Sequence, residues 1–101
     1  MSLRFAEAAQ LELEDAALFL ETRERALGER FLQAVSTSLI LIQEHPRAWQ
    51  AIAGDVRRCK VLGFPYGVIF VLRSDGDIEV IAVAHERRRL AYWRDRLKGP
   101  K

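Results

Sequence analysis

Apolar residues recur along this chain with two different periods, and the change of period divides it. Between residues 7 and 25, Ala9, Leu13, Ala16 or Ala17, and Leu20 recur at helical spacing, while Glu12, Asp15 and Glu24 fall on other faces. The segment has no Gly or Pro and is rich in Ala, Leu and Glu, which favour helix. A second helix is predicted from Leu27 to Glu44, with Phe31, Val35, Leu39 and Ile42 as its buried stripe. His45-Pro46 ends it, because proline pushes the residue before it out of the α region. Arg23 to Ala26 lie at the join, so the two helices form an antiparallel hairpin. Leu3-Arg4-Phe5, ahead of the first helix, reads as a short edge strand.

Beyond the helices the period becomes two. Val56 to Leu62 alternates, with Arg58 and Lys60 on one face and Arg57, Cys59 and Val61 on the other. Gly63 supplies a turn. Pro65 to Arg73 is strongly apolar and rich in strand-forming residues. Asp75-Gly76 is a hairpin signal, and Ile78 to Ala84 is a third strand. These three strands predict an antiparallel meander. Arg88 to Lys98 predicts a short basic terminal helix before Gly99-Pro100. The fold class is therefore α+β: an N-terminal helical hairpin packed on a three- to four-stranded antiparallel sheet. One face of that sheet is the only surface large enough to bury the hairpin's apolar stripe.

The 101 residues are half apolar and 30% charged, which fits one domain over residues 1–101 and argues against disorder. The single cysteine, Cys59, has no partner for an internal disulfide and reads as a small core residue in a reducing compartment. Met1 to Phe5 turns polar at Glu7 with no signal-peptide core after it. The longest apolar run, Val68 to Leu72, is far short of the roughly 20 residues a membrane helix needs. A soluble cytoplasmic protein is expected. The net charge of +2 hides an asymmetry: residues 1–50 hold eight acids against five bases, and residues 51–101 hold eleven bases against six acids. The basic half suits an anionic partner, although so small an excess equally describes a solvated surface. The residues show no metal-ligand spacing and no phosphate-cradling glycine loop, so neither metal nor cofactor is expected.

Several stretches, in order, carry a resemblance: Leu27-Gly28-Glu29-Arg30-Phe31-Leu32, His45-Pro46, Val56-Arg57-Arg58, Phe64-Pro65-Tyr66, Ala82-Val83-Ala84-His85-Glu86-Arg87-Arg88-Arg89 and Tyr92-Trp93-Arg94. Their succession resembles the toxins of the RelE/ParE superfamily of type II toxin–antitoxin systems, and is most similar to the ParE-type plasmid-stabilisation toxins. The resemblance implies a cognate antitoxin as partner. It also implies one of two activities. ParE-type members inhibit DNA gyrase by binding it. RelE-type members enter the ribosome and cut messenger RNA without a metal. A member that binds only its antitoxin is a third reading.

Cleavage through the RNA 2′-hydroxyl needs proton donors and acceptors, and cations to offset charge on the phosphorane-like transition state. On the ribonuclease reading, Arg58, Lys60 and Arg87 match positions where RelE-like enzymes carry basic residues. The rival account makes Arg58 and Lys60 solvated charges on an open sheet face. RelE-like nucleases also carry an arginine directly after the aromatic that opens the second meander strand, whereas here Gly67 follows Tyr66. That departure favours the ParE-type reading and leaves no catalytic residue assigned. His85, with a reference pKa of about 6.5, suits proton transfer, but the favoured reading is a structural or exposed histidine at a strand end. Tyr92 and Trp93 suit stacking on a base or anchoring a partner, and one of the two is expected to pack the terminal segment back on the sheet. Arg87, Arg88, Arg89 and Arg94, with those aromatics interleaved, suit either phosphate or the acidic side chains of a protein. The candidate target- or antitoxin-binding set is thus Arg58, Lys60, His85, Arg87, Arg88, Arg89, Tyr92, Trp93 and Arg94.

Overall fold

In chain order the elements are β1 (Leu3–Phe5), α1 (Glu7–Arg23), α2 (Leu27–Glu44), β2 (Gln50–Ala53), β3 (Val56–Lys60), β4 (Tyr66–Leu72), β5 (Ile78–His85) and a 3₁₀ turn over Arg94–Leu97. The computed structural model describes residues 2–89 and 91–97.

The predicted helical hairpin is present, and its join explains itself locally. Ala26 adopts the left-handed conformation at φ 69°. The Glu21 carboxylate of α1 accepts the N–H groups of Ala26 at 2.9 Å and Gly28 at 3.0 Å. It thereby satisfies amides that the first turn of α2 would leave unpaired. Gly28 lets the two helices approach closely: a Cβ there would stand 2.4 Å from the carbonyl oxygen of Ala17. At the other end, the His45 N–H closes α2 on the Leu41 carbonyl before Pro46.

The sheet has five strands in the order β1-β5-β4-β3-β2. The β3–β4–β5 meander is antiparallel as predicted, and Gly76 turns the β4–β5 hairpin at φ 91°. Two features depart from the expected three- to four-stranded antiparallel sheet. β2 adds a fifth strand, antiparallel to β3. β1 lies parallel to β5, with Leu3 opposite Ile78 and Phe5 opposite Val80, so the sheet is mixed. The long helical excursion between β1 and the meander lets the first strand return beside the last in parallel orientation.

Phe31, Val35 and Ile42 of α2 are buried with Ala9, Ala16, Ala17 and Leu20 of α1, and Leu39 packs at their margin. They meet one sheet face through Cys59, Val68, Phe70, Ile78 and Val80. The opposite face has its own apolar cluster of Val56, Ile69, Val71, Ile81, Ala82 and Ala84. Trp93 lies on that cluster with 3% of its surface exposed. β4 is buried along its whole length because both of its faces are covered.

The expected basic terminal helix over Arg88–Lys98 is absent among the described residues. The chain turns at 91–93 and makes one 3₁₀ turn from Arg94 to Leu97, while Leu90 and Lys98 fall outside the described residues. Ala91, left-handed at φ 64°, interrupts any helix there.

Candidate functional site

β3 presents Arg58 and Lys60 on the sheet face that faces away from the helices, and strand parity places Gly67 of β4 on that same face. Arg58 lies opposite Ile69, so Gly67 is its diagonal neighbour. The Arg58 guanidinium occupies the space a side chain at 67 would take: a Cβ there would lie 2.6 Å from both its Cζ and its Nε. Gly67 thus forms the floor on which Arg58 rests. None of the ion pairs among the described residues involves Arg58.

Arg58 opens onto a groove of about 310 Å³ whose apolar wall is formed by Ile52, Ile69, Ala84 and Trp93. Arg88, Arg89, Glu86 and His85 line the opposite rim, from the segment just after β5. With three arginines against one glutamate, the groove is cationic.

Lys60 Nζ donates to the Phe64 carbonyl at 3.1 Å. Arg87 is exposed and does not line the groove, and its backbone N–H donates to His85 Nδ1 at 3.0 Å. The His85 ring packs edge-on against Tyr66 at 5.1 Å, and Tyr66 packs on Phe31 at 4.9 Å, which ties this histidine to the core. Arg94 is exposed, outside the groove lining. Arg58 and Lys60 thus share one face of β3, whereas the groove groups Arg58 with Arg88 and Arg89 and is lined by neither Lys60 nor Arg87. Arg57, on the helix side, donates to the Trp49 carbonyl at 2.8 Å and braces the approach to β2. Burial pushes the Cys59 thiol up, with a hydrogen bond to Ser38 and the nearby Arg58 charge acting the other way, so it remains a protonated core group.

The tail is fastened by residues that the periodicity left out of the site. β1 ends at Phe5, so the outer edge of β5 has no strand partner beyond Val80. Glu12 of α1 takes that place. Its carboxylate accepts the Val83 N–H at 3.0 Å, the Tyr92 hydroxyl at 2.7 Å and both terminal nitrogens of Arg96, at 2.8 and 3.1 Å. Arg96 also donates to the Ile81 carbonyl at 2.9 Å. Two backbone groups of an exposed strand edge are thereby satisfied. Burial alone would raise the Glu12 pKa; hydrogen bonds from Arg96, Tyr92 and Val83 outweigh it and hold the carboxyl below its ordinary range. Burial, followed by the bond to Glu12, pushes the Tyr92 phenol up. The Tyr92 ring also carries the guanidinium groups of Arg88 at 4.2 Å and Arg96 at 5.0 Å from its centroid. Both aromatics of the C-terminal stretch are thus engaged within the molecule, Trp93 in the sheet and Tyr92 in the clasp. A glutamate at i+3 from Ala9 and i−4 from Ala16, on the flank of the buried stripe, was the available signal.

No curated protein matches the sequence. Among solved structures, the chain is similar to a protein of the chromosomal ParDE toxin–antitoxin system of P. aeruginosa. The TM-score is 0.61 at 15% identity, over 84% of this chain and 95% of that one. It is equally similar to the isolated E. coli RelE toxin, with a TM-score of 0.61 at 19% identity over 95% of each chain. At those identities the likeness establishes the fold. The profile of the ParE toxin of the type II toxin–antitoxin system parDE matches residues 3–90, most of the sequence. The chain therefore belongs to the ParE toxin family of type II toxin–antitoxin systems.

Proposed function

We propose that this chain is the toxin of a type II pair that acts by binding a protein target, with DNA gyrase the target its family resemblance implies, and that a cognate antitoxin neutralises it. The observation that carries this reading is the state of the residues a ribonuclease would use. Lys60 is engaged by the Phe64 carbonyl, Arg87 lies outside the groove that Arg58 lines, His85 packs on Tyr66, and the position after Tyr66 is a glycine serving as a floor. Trp93 is buried on the sheet, and the half-buried Tyr92 is engaged by Arg88, Arg96 and Glu12. A 2′-hydroxyl cleavage reaction needs proton transfer and charge offset at one place. A binding protein needs only a shaped and charged surface.

The test is a direct comparison with one purified sample. Inhibition of gyrase supercoiling with ribosome-bound message left intact is expected. Codon-specific cutting of message in the ribosomal A site would replace this reading with the RelE-type one. Inertness in both assays, with antitoxin binding retained, would leave a protein that recognises only its antitoxin.

A further inference from the structure

The Arg58 guanidinium, laid across Gly67 in an apolar-walled groove that Arg88, Arg89 and Glu86 also line, makes no ion pair among the described residues. We infer that this site takes an aspartate or glutamate carboxylate from an acidic, apolar-faced segment of a protein partner, and that Gly67 is the positioning residue that sets it. The inference rests on the reading of this chain as a protein-binding toxin.

Three observations carry it. First, Arg58 is half-buried and takes part in none of the ion pairs among the described residues, and the one carboxylate that lines its groove, Glu86, is outnumbered by three arginines. The planar fork of arginine matches a carboxylate through two parallel hydrogen bonds. Second, the floor and wall between the cations are aliphatic, from Ile52, Ile69 and Ala84. A segment alternating apolar and acidic side chains fits both features at once. Third, the aromatics of the groove are already engaged within the molecule: Trp93 is buried, Tyr92 carries guanidinium groups near its ring, and His85 packs on Tyr66. That arrangement suits a carboxylate and aliphatic side chains better than it suits a stacked base.

Gly67 adds a diagnostic. The atoms a Cβ would displace belong to the far end of a flexible side chain, and the glycine lies in an ordinary strand conformation. Gly67→Ala should therefore fold normally while pushing the Arg58 fork off its seat. A glycine needed only for the fold would behave in the opposite way.

The test uses the full chain and three probes: a capped peptide of alternating leucine and glutamate, its glutamine counterpart, and oligouridylate, each followed by calorimetry. The acidic peptide is expected to bind, to weaken as salt rises, and to weaken roughly tenfold or more with Arg58→Ala, the scale of one lost charge-assisted pairing. Gly67→Ala should reproduce most of that loss with an unchanged melting temperature. Arg58→Lys should retain part of the attraction and lose the preference for glutamate over glutamine. Equal affinity of wild type and Gly67→Ala overturns the inference. So does a wild type that ignores the acidic peptide, or one that prefers oligouridylate. A protein that inhibits gyrase yet fails these titrations retains the proposed function and loses only this site. One that binds the acidic peptide through Arg58 but spares gyrase does the reverse.

Discussion

Glu12 and Arg96 are separated by 84 positions in sequence and by 2.8 Å in space. Their pairing joins the first helix to the last turn of the described chain and closes the unpartnered stretch of β5 on the way. Both side chains are less than one-quarter exposed, so solvent screens the pair only in part. Glu12→Ala would strand the Val83 N–H, the Tyr92 hydroxyl and the Arg96 charge together. The expected cost is about 2–4 kcal/mol. A cycle combining it with Arg96→Ala, read from urea denaturation, should give a coupling of about 1–2 kcal/mol. Zero coupling would mean that the tail is held by Trp93 alone.

The same carboxylate sets an acid dependence. Its folded-state pKa lies below the ordinary glutamate value of 4.5. A group depressed on folding contributes stability that is full above the unfolded value and is lost as pH falls through the folded one. The stability gap between wild type and Glu12→Gln should therefore be constant at neutral pH and shrink as pH drops below about 4.5. Denaturation midpoints measured from pH 7 down to pH 3 would reveal this. A gap unchanged over that range would refute the assignment.

Phe31 anchors the joint between the helices and the sheet. It is fully buried and packs edge-on against Phe64 at 5.2 Å and obliquely against Tyr66 at 4.9 Å. Phe31→Ala should cost about 3–5 kcal/mol, from lost burial and the cavity left behind. Phe31→Leu keeps most of the volume and should cost distinctly less. Since Tyr66 also supports His85, the alanine variant should shift the His85 ring resonances in NMR spectra; unmoved resonances would separate the core from that strand end.

What the sequence made legible follows from how strongly each segment repeats. α2 was bounded at Leu27 and Glu44 because a four-residue apolar stripe and His45-Pro46 both speak there. The meander strands were legible because β3 alternates and β4 is a continuous apolar run. β2 was not, because Gln50-Ala51-Ile52-Ala53 has one large apolar residue and derives its strand character from pairing with β3. The composition of the tail favours a helix that does not form. A buried Trp93 and a left-handed Ala91 override local preference there. In the site, the basic residues are legible in the sequence but their grouping is not, because it depends on strand register and on where the chain turns after β5. In the sequence Gly67 stands out only as a missing cation, whereas its contribution is the space it leaves for Arg58.

Gly28 and Gly67 test that last point against each other. Each lacks a side chain where one would collide, but the obstacles differ in kind. At Gly28 the nearest atom is the Ala17 carbonyl oxygen at 2.4 Å, part of the α1 backbone, with the capping Glu21 carboxylate at 3.1 Å. Neither can move without opening the helical hairpin or releasing the cap on α2. Alanine inside a helix is ordinarily better than glycine by about 1 kcal/mol. At Gly28 that gain should be overridden by the forced separation of two packed helices, for a net loss of about 1–3 kcal/mol. At Gly67 the obstacle is the Arg58 guanidinium, which can swing into solvent, so Gly67→Ala should leave stability level or slightly improved. Urea midpoints of the two alanine variants should therefore fall on opposite sides of wild type, or Gly28→Ala alone should fall. Comparable losses at both positions would show that Arg58 cannot yield, and that Gly67 serves the packing of the sheet rather than the seating of the arginine.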